Sequence, residues 1–413
     1  MRLAMKLVTS ALFSAVLGTA ALAEDTVKIA FIDPLSGPFA TTGTNGLAEW
    51  EFAAEELVNK QGGVLGGKKL EIVAFDNKIS PKESLIQLQV AIDQGIKFIA
   101  QGNSSGVASA LTDAINKHNR RNPDNRVLFL NYSAVAPELT NEKCNFWHFR
   151  FDANSDIKMD ALTDVIAKDD GIERVYVIGQ DYSFGKSVAA AAVRFLAEKR
   201  PDIEIVGNEL HPIGKVKDFT PYARKIVSSG ADAIITGNWG ADMVGLGKSV
   251  IEGGFDGPIY TYYAANNGIT ATFGDVGKDR IRLVQEGPLN PPASDRMSVY
   301  VKAFKEKNPD FDITQNRITN AVEMLARAID AAGSTDAVAV ATALAGMEHD
   351  SLWGGKIYMR PEDHQAIQNV HITKHTDEGV TFDSDNSGYG LVVESSIEMA
   401  AADSPTTCEM KRP

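Results

Sequence analysis

The regular alternation of strand-like and helix-like segments constrains this chain more than any other feature. Val27 to Ile32 is a buried β-branched run, Ala48 to Asn59 reads as an amphipathic helix, and Lys69 to Phe75 as a second strand. Ser80 then caps a helix running to Gln94, with Pro81 at the first helical position, where its missing N–H costs nothing. Phe98 to Ala100, Gly106 to Asn119 and Val127 to Leu130 continue as strand, helix and strand. Strands separated by helices cannot pair as hairpins, so the pattern predicts a parallel sheet with helices on both faces. The alternation restarts after Phe151, with helices over 156–167, 184–198, 220–228 and 243–251 between strands over 174–178, 204–206, 233–236 and 258–262. Helices over 295–307, 313–332 and 336–344 follow with little strand between them and are expected to return to the first sheet. Strand-like segments at 356–359, 370–373 and 390–394 close the chain. The expected class is α/β, with two doubly wound units of similar size.

Residues 1–23 carry Arg2 and Lys6, an apolar run from Leu7 to Leu22, and the small-residue end Ala21-Leu22-Ala23. This is the pattern of a secretory signal peptide cleaved after Ala23, its apolar core being too short for a span. No later apolar run approaches the roughly 20 residues that a bilayer requires. The other 390 of the 413 residues exceed the size at which one core keeps growing, which predicts two domains. The signal takes two of the 41 basic residues and none of the 54 acidic ones, so the exported chain is 15 negative. That sign argues against nucleic acid as a partner. Cys144 and Cys408 both lie in the exported part, where an oxidising compartment and an even count permit a single bridge from the C-terminus to mid-chain. Neither has a second thiol or a near imidazole at ligand spacing, so no metal site is expected. Nucleotide motifs fail as well: Gly179 to Ser187 is one residue too long for a phosphate-binding loop.

Open α/β sheets bind ligands beyond the carboxyl ends of their strands, and two facing sheets place a cleft there. Gly102-Asn103-Ser104-Ser105-Gly106 lies at such an end, between a strand and a helix. The first helical N–H groups lack acceptors, and the helix dipole adds partial positive charge, which suits a carboxylate. The same residues fit Gly-x-Ser-x-Gly, the nucleophile elbow of serine hydrolases. Histidines follow the elbow, but no His-Gly-Gly oxyanion motif precedes it, and the second α/β unit has no part in such an enzyme. A plain helix cap is the third reading of Ser104. Tyr182, Phe184, Trp239 and Tyr263 stand at other strand ends. Tyr262 and Tyr263 point to opposite sides of an extended chain, so one of them lines the cleft, and Tyr263 is the expected one.

Six segments in order resemble the type I periplasmic binding proteins of ABC transporters, in the branch of the leucine/isoleucine/valine-binding protein. They are Leu35-Ser36-Gly37-Pro38, Asp76 with Pro81-Lys82, Ser104-Ser105, Ala134 to Thr140, Tyr182-Ser183-Phe184-Gly185, and Asp218-Phe219. The resemblance covers essentially the whole mature chain. It implies two Rossmann-like lobes joined by three hinge crossovers, near 149–151, 283–287 and 356–359. The N-terminal lobe is then 24–149 plus 288–355, and the C-terminal lobe 150–287 plus 356–413. It also implies a periplasmic monomer without cofactor or catalytic activity, which closes on a small ligand and delivers it to an ABC permease in the inner membrane. A sensor built on the same fold, signalling to a receptor, is the variant of this reading. In the family the ligand carboxylate is held by the serine matching Ser104, by backbone groups at Ser133, and by a hydroxyl at the position of Val135, which valine lacks. The glutamate that holds the amino group falls at Tyr263, and an aromatic that closes over the site at Trp239. An ammonium buried without an anion costs several kcal/mol. The expected ligand is therefore a carboxylate without an ammonium, an aromatic or other organic acid. Asp33 and Asp181 are the strand-end residues that would restore an amino-acid ligand of the leucine type.

Overall fold

The computed structural model describes residues 26–413, so the signal peptide expected at 1–23 lies outside the described residues. Five strands, β1 (Thr26–Asp33), β2 (Lys69–Asp76), β3 (Phe98–Gln101), β4 (Leu128–Asn131) and β5 (His148–Arg150), pair in the order β2-β1-β3-β4-β5, parallel throughout. Helices α1 (Ala40–Ala53), α2 (Pro81–Asp93) and α3 (Ser105–Arg121) make the crossovers. Strands β3 and β4 are buried along their whole length, as strands covered on both faces must be. The Ser80 Oγ accepts the Glu83 N–H at 3.3 Å, the cap expected for α2.

Helix α1 begins at Ala40 rather than at Ala48, where its apolar period starts. A Cβ at Gly43 would stand 1.8 Å from the Pro34 carbonyl oxygen, so the first turns pack bare backbone against the loop after β1. Asn45 and Glu49 on the same helix are buried and bind the segment 312–315. Apolar periodicity cannot report a helix face that buries backbone and polar groups. Strand β5 escaped prediction for a similar reason: two of its three residues, His148 and Arg150, are ionisable yet buried.

The second unit runs α4 (Ser155–Ile166), β6 (Arg174–Gln180), α5 (Ser183–Lys199), β7 (Glu204–His211), α6 (Thr220–Ser228), β8 (Ala233–Thr236), α7 (Gly240–Glu252), β9 (Ile259–Thr261), α8 (Ile269–Phe273) and β10 (Ile281–Gln285). Then come α9 (Asp295–Lys307), α10 (Arg317–Ala332) and α11 (Ala337–Leu344). These three do return to the first unit: Ile318, Leu325 and Leu344 share a core with Phe31, Ile99 and Leu130, while Met297, Tyr300 and Phe304 pack on Phe52 of α1. Short antiparallel strands β11 (Glu348–Asp350), β12 (Lys356–Met359) and β13 (Ala366–Gln368) follow. Strands β14 (Val370–Thr376) and β15 (Gly390–Ile397) complete the second sheet, whose order is β15-β14-β10-β9-β8-β6-β7. It is parallel from β7 to β10 and antiparallel beyond.

The result is an α/β fold of two Rossmann-like lobes. Where the chain crosses between them, buried side chains bond one crossing to the next. Arg150 Nε donates to Gln365 Oε1 at 2.7 Å, Gln368 Nε2 to the Phe151 carbonyl at 2.8 Å, and Asn316 Nδ2 to the Gly287 carbonyl at 2.5 Å. Ile357 and Met359 pack into the first core and Ile367 into the second. The bridge permitted by the cysteine count is present: Cys144 and Cys408 are bonded, with Cα atoms 5.8 Å apart. The tail that carries Cys408 leaves the second lobe and lies on the first, where Asn141 Oδ1 accepts the Thr407 N–H at 2.9 Å.

Candidate functional site

Strand β3 ends at Gln101, and the chain turns through Gly102 to start α3. Asp33, the last residue of β1, holds this turn from behind. Its carboxylate accepts the Gly102 and Asn103 N–H groups, each at 3.0 Å, and the Tyr132 hydroxyl at 2.5 Å. Burial pushes the Asp33 carboxyl up to about 7, against the pull of those donors. A Cβ at Gly102 would lie 2.6 Å from the Tyr132 ring and 2.8 Å from the Ser133 Cβ, so close approach demands glycine there. Ser104 takes φ +81° and ψ +111°, a region sparsely used by residues with a side chain. Its Oγ makes no capping bond, which removes the plain-cap reading.

In the second lobe, α5 begins after Tyr182 and α7 after Trp239, again without a side-chain cap. Three helix N-termini, one from the first lobe and two from the second, thus meet at one cavity, each with partial positive charge. Gly102, Asn103, Ser104, Ser105, Ser133, Ala134 and Gln315 line it from the first lobe, and Tyr182, Phe184, Trp239, Tyr263 and Asn266 from the second. The cavity between the lobes is small, with a volume of about 20 Å³. No Asp, Glu, Lys, Arg or His is among these lining residues.

The aromatic wall is cross-braced. Trp239 Nε1 donates to the Tyr182 hydroxyl at 2.8 Å, and Phe184 meets Tyr182 and Tyr263 at centroid separations of 5.9 and 5.7 Å. The Tyr263 hydroxyl reaches across the lobes to the Ser133 carbonyl at 3.1 Å and lies 3.3 Å from Asp152 Oδ2 of its own lobe. The Tyr262 hydroxyl instead donates to the Ser155 carbonyl, away from the cavity. Burial first, and then the Asp152 charge, drive the Tyr263 hydroxyl well above its ordinary range, so it is a neutral donor.

Behind Tyr263 lies a buried ionic cluster where the chain crosses between the lobes. Lys158 Nζ stands 2.7 Å from Asp152 Oδ1 and 3.1 Å from Glu286 Oε1, and Arg317 Nε stands 3.1 Å from Asp152 Oδ2. Arg317 also donates to the Ser133 Oγ at 2.7 Å and to the Gln315 side chain, joining the cluster to two lining residues. Burial raises both acids, but Arg317 and Lys158 hold Asp152 below its usual range. Burial, with Asp152 alongside, pushes Glu286 up to about 7.

The structure brings together Ser104, Ser105, Ser133, Tyr182, Phe184, Trp239 and Tyr263 and leaves Val135 and Asp33 outside the lining. Val135 packs in the second lobe's core, its carbonyl accepting the Ser155 N–H at 2.9 Å. Asp33 faces the back of the turn. Asp181 is solvent-facing and pairs with Lys186 at 3.3 Å. Neither acid supplies a charge to the cavity. Sequence reasoning missed Asn266, Gln315 and Arg317. Asn266 had a weak signal in the turn Asn266-Asn267-Gly268. Gln315 had none, because Glu49 holds it from 266 residues away, accepting its N–H at 3.1 and 3.0 Å. Among the described residues no cluster of His, Cys, Asp and Glu is placed to hold a metal ion.

The family model for periplasmic binding proteins matches residues 26–379. The Leu/Ile/Val-binding protein homolog 4 of Brucella abortus is 30% identical over 406 residues, 96% of this chain and 95% of that one. The leucine-, isoleucine-, valine-, threonine- and alanine-binding protein of Brucella ovis, in its closed conformation, superposes with a TM-score of 0.82 at 28% identity, covering 94% of this chain and all of that one. A solute-binding protein of an ABC transporter from R. palustris, in complex with benzoate, shares the fold with a TM-score of 0.79 at 18% identity, covering 93% and 99% of the two chains. With two α/β lobes closed on one cavity and a family match along nearly all of the described chain, the protein belongs to the type I periplasmic binding proteins, in the Leu/Ile/Val-binding branch.

Proposed function

We propose that this protein is the extracytoplasmic binding component of an ABC importer of the branched-chain-amino-acid type. Its ligand on this reading is a small carboxylate, with aromatic and other organic acids favoured over amino acids. The observation that carries the proposal is a cavity at which three helix N-termini converge, none capped by its own N-cap side chain although Asn266 Oδ1 accepts the Gly240 N–H at 3.4 Å, and at which no acidic side chain is present. A carboxylate gains N–H and hydroxyl donors there, including Ser104, whose Oγ has no capping role to give up. An ammonium finds no anion, and leaving it unpaired costs several kcal/mol. Tyr182, Phe184, Trp239 and Tyr263 offer ring faces with polar handles for the rest of the molecule. The R. palustris neighbour, which holds benzoate, supports the same direction. A leucine-type amino acid is the second reading, favoured by the relatives named for Leu/Ile/Val.

The chain works, on this proposal, as a periplasmic monomer after loss of residues 1–23. A ligand touching both lobes binds the closed state better and shifts a two-state equilibrium toward it, and the closed form then engages the permease. No covalent chemistry is required of any residue. The moving bodies are 24–149 with 288–355 and 150–287 with 356–413, except that the packing of Ile357 and Met359 carries β12 with the first body.

Thermal shifts with benzoate, 4-hydroxybenzoate, phenylpropanoids, aliphatic acids and leucine test the ligand class. An acid at 100 times its dissociation constant adds about 2.7 kcal/mol of stability and raises the melting temperature measurably. A rise with leucine-like amino acids alone would overturn the aromatic-acid reading. Two variants refine it by calorimetry. Ser104→Ala is expected to weaken any carboxylate about 10- to 100-fold, the value of one charge-assisted hydrogen bond, while leaving the unliganded stability unchanged. A stability loss of about 1 kcal/mol would instead mark a capping role. Trp239→Ala is expected to weaken aromatic acids more than acetate-sized ones, and equal losses would count against its place in the wall.

A further inference from the structure

We infer that Phe39 is a closure latch, a first-lobe side chain that seats in the second lobe when the lobes close and so sets how tightly any ligand is held. The inference rests on the two-lobed binding reading above. By chain position Phe39 belongs to the first lobe, between β1 and α1. Its ring is 2% exposed, yet it packs in the second lobe's core cluster and not in the first. The ring centroid lies 4.3 Å from that of Trp239, tilted by 35°.

Two glycines of the second lobe make the seat. A Cβ at Gly214 would stand 2.7 Å from Phe39 Cε2, and one at Gly240 would stand 2.8 Å from Phe39 Cδ1. The buried Asp242 carboxylate braces the seat, accepting the Gly214 N–H and the Gln180 Nε2, each at 2.8 Å. Phe39 does not line the cavity, but Trp239, on which it stacks, does. It is therefore a positioning residue that acts through Trp239.

Opening the lobes returns the ring to water, so its burial favours closure whatever the ligand is. Apparent affinity scales with the population of the closed form, and a contact made on closure slows dissociation far more than it alters association. Sequence alone hides this role. Phe39 follows Leu35-Ser36-Gly37-Pro38 like any residue packed at a helix start.

The test measures dissociation constants of benzoate, 4-hydroxybenzoate and leucine by calorimetry, with stopped-flow rates and the melting temperature of the unliganded protein. Phe39→Ala is expected to weaken every one of these probes that the parent binds by about 10- to 100-fold, by a common factor and through faster dissociation. Phe39→Leu should recover part of the loss, and the unliganded melting temperature should stay within about 1 °C of the parent, the shift expected of a small stability change in a chain of this length. Gly214→Ala should weaken the parent more than it weakens the Phe39→Ala background, where its methyl group meets no ring and only the strain of its left-handed backbone at φ +64° remains. Unchanged affinities in Phe39→Ala, a fall in unliganded melting temperature that accounts for the loss, or additivity with Gly214→Ala would each overturn the latch while leaving the binding function intact. If the parent binds neither these probes nor any other acid of the thermal-shift set, the proposed function falls and the latch falls with it.

Discussion

Replacing Arg317 with methionine is expected to cost about 3–5 kcal/mol of folding stability, because it breaks a buried ionic cluster by removing one partner. Arg317 is 3% exposed and has no route to water. Besides its contact with Asp152, it donates to the Tyr132 carbonyl at 2.7 Å and to Ser133 and Gln315 at the cavity. Methionine fills the volume but leaves Asp152 and Glu286 facing Lys158 alone. The cheapest relief is a proton on Glu286, whose carboxyl burial already pushes up to about 7 from 4.5. A carboxyl raised in the folded state binds its proton more tightly there than in the unfolded chain. Its contribution to stability is thus present at low pH and lost as pH rises from about 4.5 through 7. Removing Arg317, one of the charges that pulls Glu286 down, deepens that loss. Urea unfolding of Arg317→Met should therefore show a smaller deficit against the parent at pH 5.5 than at pH 8. A deficit equal at both values would uncouple Glu286 from Arg317. Ligand affinity should fall as well, since Ser133 and Gln315 lose their common anchor.

Asp33→Asn has the second largest expected effect, about 2–4 kcal/mol of stability together with at least a tenfold loss of ligand affinity. The carboxylate satisfies three donors with two oxygens. An amide has one acceptor, so its NH2 group must face the N–H of either Gly102 or Asn103, and a buried donor left unpaired costs about 1–3 kcal/mol. The turn that presents Ser104 is then no longer pinned from behind. The pH dependence runs opposite to that of the arginine variant. The parent carboxyl, raised from 3.8 to about 7, contributes less to stability as pH rises through that window, whereas asparagine does not titrate. The deficit of Asp33→Asn should therefore be larger at pH 5 than at pH 8. Faster amide exchange at Gly102 and Asn103 would localise the damage to the turn, and unchanged exchange would argue against this role for Asp33.

The parts of this molecule legible in its sequence are those encoded over short spans. Strands buried on both faces read as β-branched and aromatic runs, as in Phe98–Gln101 and Ala233–Thr236, because nothing else tolerates burial on alternate sides. The junction at Gly102 to Ser105 was legible because strand, glycine and serine are neighbours in the chain. So was the expectation that only one of Tyr262 and Tyr263 faces the cleft, which follows from the period of two in extended backbone.

Roles that depend on what stands opposite were not legible. A strand-end aspartate reads the same whether it points into the cleft or behind the turn, and only the positions of Gly102, Asn103 and Tyr132 around Asp33 decide it. Val135 lies within a family-like segment, yet its side chain turned to the second lobe's core. Arg317, Gln315 and Phe39 owe their places in or behind the cavity wall to Asp152, Glu49 and Trp239, residues brought alongside by other elements or by the other lobe. By itself, then, the sequence determined the α/β alternation, the two lobes and the glycine and serine turn between strand and helix, since each rests on propensities that act between near neighbours. Only the tertiary structure decided which side chains share the cavity, which acids are spent on holding it together, and what fastens the lobes. Those outcomes depend on burial and on partners hundreds of residues away, and neither leaves a local pattern.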